Sequence, residues 1–265
     1  QECSNYLKEI LQEIREHCNY LKEIFEALVR LTTLLKSILP YVQRHLSQAT
    51  LNNNLATNWD PMPPNKAFIR VAIKEDTDEF INVKDHFKSN TQKRLEIIKI
   101  ERVQNPFLLG SYMLKKLEME NICSASNVIE MNLFHGTKAS NVESICENNF
   151  NWRLHGENMG NRYGRGVSFT PVWHYASHYS DKYAVKVMFL VRVLISESII
   201  GNQNMEIPPL IGSSIASNNL RFDTTLKNDL SVIVKYSDNE FYPQYLIYYS
   251  AHVTFHCIIE KDILR

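Results

Sequence analysis

Apolar positions in the first forty residues recur with a period of seven. Leu7, Ile14, Leu21, Leu28 and Leu35 form one line, and Ile10, Ile24, Leu31 and Ile38 fall three positions further on, with His17 breaking the second series. This spacing predicts one long amphipathic helix over residues 3–39 carrying a heptad seam. The hexapeptide Asn-Tyr-Leu-Lys-Glu-Ile stands at 5–10 and again at 19–24, two heptads apart. Pro40 is expected to end or kink the helix, since it lacks an N–H and its ring collides with the preceding turn. Residues 1–47 therefore read as a helical, coiled-coil segment. Its seam either pairs with a partner, a homodimer through residues 3–39 being the simplest case, or folds back on the C-terminal domain or on a second helix over Tyr41–Ser47.

Residues 48–66 are polar and proline-rich, with Asn52, Asn53 and Asn54 followed by Pro61, Pro63 and Pro64, the composition of a linker. From residue 67 to 265 the pattern changes to short alternating stretches. Residues 68–73 and 95–103 read as strands, and 79–87 as a short helix. Pro106 sits at the first position of a helix predicted over 107–120. A strand over 132–134 leads to a helix over 141–149. Further strands are expected at 166–170, 184–194, 230–235 and 245–249. Strands clustered after early helices predict an α+β fold with antiparallel sheets, not a doubly wound parallel sheet.

Composition narrows the class. Apolar residues make up 44% and charged residues 22%, as in a globular protein. Lys+Arg and Asp+Glu both number 29, so no basic surface recommends nucleic acid as a general partner. The five cysteines, Cys3, Cys18, Cys123, Cys146 and Cys257, are odd in number and widely spaced. They form no CxxC pair and no zinc-finger spacing, which points to reduced thiols, an intracellular location (nucleus or cytoplasm) and no metal. Cys146 is expected to be buried. The sequence has no apolar run long enough to span a membrane and no signal-peptide pattern. It opens within a helical pattern, as a piece of a longer protein would.

The chemistry concentrates in three stretches: Leu133-Phe134-His135-Gly136-Thr137, Tyr163-Gly164-Arg165-Gly166-Val167-Ser168-Phe169, and His174-Tyr175-Ala176-Ser177-His178-Tyr179. An apolar lead-in to His-Gly puts an imidazole at a strand end beside backbone with no side chain to block a ligand. A glycine-punctuated strand and an aromatic cluster suit the walls of a cleft for a flat heteroaromatic ring bearing a ribose. Other readings fail on spacing. Ser168 is not in a Gly-x-Ser-x-Gly turn, and no Asp/His partner can be assigned to it. Gly160, Gly164 and Gly166 do not make a Gly-x-Gly-x-x-Gly fingerprint.

These stretches, with Glu101-Arg102-Val103-Gln104-Asn105-Pro106-Phe107-Leu108, Ile145-Cys146-Glu147-Asn148-Asn149-Phe150-Asn151-Trp152-Arg153, Met188-Phe189-Leu190 and Tyr242-Pro243-Gln244-Tyr245-Leu246-Ile247, resemble the catalytic domain of the poly(ADP-ribose) polymerase superfamily. The similarity is to its mono-ADP-ribosylating branch. It runs from about Trp59 to the C-terminus. The resemblance implies an ADP-ribosyltransferase fold, with two antiparallel sheets forming a split sandwich and flanking helices. It also implies NAD⁺ as co-substrate, with ADP-ribose passed to a protein acceptor and nicotinamide released through an oxocarbenium-like transition state. By the same resemblance His135 hydrogen-bonds the adenosine-side ribose. Gly136 pairs through its backbone with the nicotinamide carboxamide. Tyr179 stacks on the ring, and Thr137 and Tyr163 line the same cleft.

Three departures from the family pattern bear on activity. Ser168 stands where the family has a tyrosine, and Ala176 where it has a serine that bonds the carboxamide. Ser177 is next door, turned away by about 100 degrees on a helix. The glutamate of polymer-forming members falls at Leu230, placed by counting back from Tyr242-Pro243, with Asp229 and Glu240 as nearby carboxylates. The set His135, Ser168, Leu230 keeps its first member, loses its second and has a third of the non-polymerising type. Losing an aromatic cover and a hydrogen bond costs about 1–3 kcal/mol each, together about two to four orders of magnitude in binding or rate. Two outcomes stay open: a weak mono-ADP-ribosyltransferase, or a pseudo-transferase serving as a protein-binding or scaffolding module.

Overall fold

In the computed structural model of the chain, residues 2–52, 58–89, 95–123, 128–154, 162–181, 184–212 and 220–251 are described, with the side chains of 2–10, 38–52, 123 and 251 excepted. Residues 53–57 of the expected linker, the last fourteen residues with Cys257, and the side chains of Cys3, Leu7, Ile10 and Ile38 lie outside the described residues. The chain divides into two compact units, Gln1–Thr57 and Asn58–Arg265.

The first unit is one helix, α1, Glu2–Asn52. The break expected at Pro40 and the linker expected from residue 48 both give way to helix. A proline removes one backbone hydrogen bond and crowds one turn, a penalty of about 3 kcal/mol that is local. Leu35, Lys36 and Leu39 before it and Gln43 and Arg44 after it are strong helix formers. Between residues 11 and 37 every side chain is exposed within the unit, the apolar seam included. The hydroxyls of Thr32 and Thr33 turn back onto the carbonyls of Leu28 and Val29 at 2.7 and 2.8 Å.

The second unit begins with β1, Ile69–Ala72, and α2, Asp78–Lys88. Thr77 starts α2 by accepting the Phe80 N–H at 3.2 Å. After β2, Leu95–Gln104, helix α3 runs over Pro106–Cys123. Asn105 caps it, its Oδ1 accepting the N–H groups of Phe107 and Leu108 at 3.1 Å each, with Pro106 at the first helical position as the sequence predicts. Then come β3, Ile129–Gly136, and α4, Val142–Asn148. They lead to β4, Val167–Phe169, and α5, Trp173–Ser177. The remainder is β5, Val185–Ile195, β6, Ser198–Ile200, β7, Thr224–Leu226, β8, Ile233–Lys235, and β9, Phe241–Ala251.

The strands form two sheets. The larger is antiparallel throughout, in the order β1-β2-β9-β5-β3. The smaller has the order β4-β8-β7-β6, and its β6–β7 pair is parallel. The expectation of purely antiparallel sheets therefore fails at one edge. The reason is the long connection from Gly201 to Asp223, which lets the chain return in the same direction.

Two apolar layers cover the two faces of the large sheet. Leu133, Val187, Phe189, Val191 and Leu246 belong to one, and Phe134, Met188, Leu190, Tyr245 and Ile247 to the other. Strict alternation along β3, β5 and β9 thus fills both faces. That is why β5 reads as an unbroken apolar run in sequence. Helix α4 supplies Val142, Ile145 and Cys146 to the first layer, and α2 supplies Phe80, Val83 and Phe87 to the second. The expectation that Cys146 is buried holds, and burial pushes its thiol up to about 12.

Candidate functional site

The two sheets meet where the His-Gly stretch lies. Phe134 on β3 and Thr170, just after β4, exchange both backbone hydrogen bonds at 2.7 and 3.0 Å. This single bridge brings the end of one sheet's edge strand against the end of the other's. His135 and Ser168, 33 residues apart in sequence, become neighbours there.

The His135 Nδ1 lies 2.9 Å from the carbonyl oxygen of Ser168. A carbonyl only accepts, so Nδ1 carries the hydrogen and Nε2 is left as the free nitrogen. The ring packs on Phe150 and Phe169, with centroids at 4.7 and 5.7 Å. Burial pushes the His135 pKa below the ordinary histidine value, and the bond to Ser168 opposes that only in part. His135 is therefore a neutral imidazole near pH 7, half-buried and packed on two aromatic rings.

Phe150 reaches the imidazole because of its neighbour. Asn149 ends α4 with φ +70, and the Asn149 Nδ2 holds the Phe241 carbonyl at 3.0 Å. With ψ 179 beside that φ the backbone is strained, and the Asn149 side chain holds it there, its Oδ1 also accepting the Phe150 N–H at 3.0 Å; the turn drops Phe150 into the layer beneath His135. Phe150 stands in the sequence motif without an assigned role. The signal that marks it is an asparagine just past a helix, followed by an aromatic residue.

Gly136 is fixed by close approach. A Cβ built there would stand 1.8 Å from the carbonyl oxygen of Ala176 on α5. That oxygen accepts the Tyr179 N–H at 3.0 Å. Gly136, Ala176 and Tyr179 are thus contiguous, and Ala176 is the α5 residue that meets Gly136. The Ser177 hydroxyl donates to the His174 carbonyl at 2.7 Å and so serves its own helix. Thr137 is buried and accepts from the Asn141 amide at 3.2 Å.

Tyr179 is 38% exposed, and its ring lies 6.0 Å from that of Tyr175. Burial, helped by a hydrogen bond with Tyr175, pushes its phenol up to about 12. Tyr163 is held by its main chain, whose carbonyl accepts from Thr225 Oγ1 at 2.7 Å. Thr225 is paired with Val234, and Val234 with Ser168, so these three side chains share one face of the small sheet. Phe169 and Ile233 occupy the opposite, core-facing side. The Ser168 side chain is half-buried on the face away from the core.

The third expected position lies elsewhere. Leu230 is 56% exposed, has φ +59, and donates its N–H to the Lys227 carbonyl at 2.8 Å. It ends a turn, not the extended stretch over 230–235 that the sequence suggests, and β8 begins only at Ile233. The cause is local: Asp229 accepts the Ser231 N–H at 2.9 Å and binds Lys227 Nζ at 2.7 Å, which stabilises the turn. Val232, two residues on, is buried. Neither nearby carboxylate is uncommitted. Asp229 is bound within its turn, and Glu240 is buried 3.0 Å from Lys235 Nζ.

Comparison with known sequences agrees with this geometry. The pattern described as the poly(ADP-ribose) polymerase catalytic domain matches residues 77–256. Protein mono-ADP-ribosyltransferase PARP12 of Mus musculus is 33% identical over 198 residues, covering 73% of this chain and 27% of that protein. PARP11 of the same species, also a protein mono-ADP-ribosyltransferase, is 29% identical over 216 residues, 73% of this chain and 64% of its own. PARP14 of Homo sapiens, likewise named, is 32% identical over 200 residues, 73% of this chain and 11% of its own. The chain thus spans about a quarter of PARP12. With two sheets joined beside His135 and a match across most of its second unit, the chain belongs to the poly(ADP-ribose) polymerase catalytic domain family.

Proposed function

We propose that this domain is limited to mono-ADP-ribosyl transfer from NAD⁺ to a protein side chain, with turnover slowed or abolished by its own cleft residues. The observation that carries this reading is the contrast around Gly136. The frame is kept: His135 is anchored, Gly136 packs its backbone against the Ala176 carbonyl, and that carbonyl accepts the Tyr179 N–H. The groups that would grip the ligand are reduced, with Ser168 in place of a ring, Ala176 in place of a hydroxyl, and the Ser177 hydroxyl bound to His174. His135, Gly136, Thr137, Tyr163 and Tyr179 are the residues assigned to NAD⁺. An apolar third position, Leu230 by sequence register or its buried neighbour Val232, leaves no carboxylate to activate a growing chain. The odd and widely spaced cysteines support an intracellular setting.

A second reading is a pseudo-transferase that acts as a protein-interaction module. The exposed apolar seam of α1 favours it, because such a seam supplies association independently of any catalysis. The separating experiment incubates the chain with labelled NAD⁺ and measures label on the chain itself. The parallel sample is a Ser168→Tyr, Ala176→Ser double variant. Label on the variant and little or none on the parent supports the reduced-transferase reading. Full labelling of the parent overturns it, and label on neither leaves the interaction module.

A further inference from the structure

The seam of α1 is wider than a pair of helices can cover. Assign the line Ile14, Leu21, Leu28, Leu35 to heptad position a; His17, Ile24 and Leu31 then stand at d. A two-stranded coil buries a and d and flanks them with charged residues at e and g. Here position e holds Leu11, Cys18, Phe25 and Thr32, and position g holds Glu13, Tyr20, Ala27 and Leu34. Phe25 is 67% exposed and Tyr20 63%, and in a two-stranded coil they would stay in water. Positions b, c and f are polar apart from Val29, so about four sevenths of the helix surface asks for cover.

The outer positions identify the occupant. On a helical wheel b lies beside e, and c lies beside g. Over the three heptads before Leu28, position b holds Lys8, Arg15 and Lys22, and position c holds Glu9, Glu16 and Glu23. When parallel copies pack around a common axis, e of one helix meets g of the next, and b then meets c. Basic faces acidic around the whole ring at each of these levels. In an antiparallel arrangement b meets b and c meets c, which sets like charges together. The complementarity is of the sequence with itself, so it selects a second copy of this chain over a foreign helix. His17 adds register: as the one polar residue at a or d on the described seam, it lies level with its copies only when the helices are in step.

We propose that residues 3–39 join copies of this chain as a parallel, in-register bundle of more than two helices. This rests on the self-association reading of the helix and specifies its number and direction.

Sedimentation equilibrium of the full chain tests it. The expected mass is that of three or more chains. A mass of two chains overturns the multi-strand bundle while sparing self-association. A mass of one chain at micromolar concentration overturns both, as it would if the seam took a foreign helix or folded back. Direction is read from two charge-reversed chains, Arg15→Glu with Lys22→Glu, and Glu16→Lys with Glu23→Lys. Each alone is expected to associate at least tenfold more weakly. Their equimolar mixture is expected to recover, fully in an even-numbered bundle and at two of three contacts in a trimer, since b of one again opposes c of the other, and recovery also shows that both variants are folded. Unchanged association of each variant, or no recovery on mixing, overturns the parallel arrangement.

Discussion

His135 is held by the main chain of Ser168 and not by its side chain: Nδ1 donates to the Ser168 carbonyl at 2.9 Å. The Ser168 main chain therefore anchors the histidine whatever its side chain does. Replacing the serine side chain leaves that anchor untouched. The Ser168→Tyr variant is expected to keep His135 in place and to add an aromatic cover worth about 1–3 kcal/mol. Affinity for a nicotinamide mimic, measured by calorimetry, should then rise roughly tenfold to a hundredfold. Adding Ala176→Ser, at the α5 residue whose main chain meets Gly136, should raise it further. No gain from either change would show that these positions do not limit binding.

Gly136 makes a separate prediction about the fold. The contact of its missing Cβ with the Ala176 carbonyl is with backbone, which cannot rotate away. Gly136→Ala must push α5 off β3 or break the bridge between Phe134 and Thr170. Overpacking of this kind costs about 1–3 kcal/mol or more. A thermal melt should show a loss of several degrees, with no compensation from Ala176→Gly, since the collision is with a peptide oxygen.

How much of this was legible in the sequence depends on distance along the chain. The apolar run Val185–Ile195, the Asn105-Pro106 helix start and the strand into His135 are local patterns, and each produced the expected element. The three-residue strands β6 and β7 carry no periodicity, and their parallel pairing depends on residues 198 and 224 meeting after a long excursion. Helix α5 is five residues long and rich in aromatics, so it has no helical signature of its own. Leu230 shows the reverse case. The cluster Lys227-Asn228-Asp229 is a turn signal readable from sequence, and counting back from Tyr242 overrode it. The anchor of His135 was invisible because a main-chain acceptor leaves no trace in residue identity.

The imidazole also predicts a pH dependence. Its pKa in the fold is lowered from about 6.5, chiefly by burial. The unfolded chain therefore binds this proton more readily than the folded one. The contribution of neutral His135 to stability is complete above about pH 6.5 and is lost as pH falls through the folded pKa. Denaturant midpoints measured from pH 7.5 down to 5 should decline more steeply for the parent than for His135→Asn. Parallel curves for the two chains would show that His135 does not titrate with folding.

The buried lysine gives the largest expected effect. Lys235 is fully buried, bonded to Asp223 and, at 2.8 Å, to Thr224, with Glu240 at 3.0 Å. Asp223 in turn accepts the N–H groups of Ser196 and Glu197, so the cluster ties β8 to the end of β5. Burial raises both carboxylates; Lys235 outweighs it at Asp223, which stays below the usual range, while Glu240 stays above it. Lys235→Met leaves two carboxylates facing each other in an apolar layer, a change that costs about 3–5 kcal/mol when one partner of a buried pair is removed. The melting temperature should fall by roughly 10 °C for a unit of this size. Without the lysine both carboxylates have raised pKa values, so stability drops as pH rises through them. The gap between parent and variant should therefore widen from pH 4 to pH 7. Adding Glu240→Gln should close part of it at pH 7, because one of the opposing charges is gone. A gap independent of pH would mean that the lysine acts through packing alone.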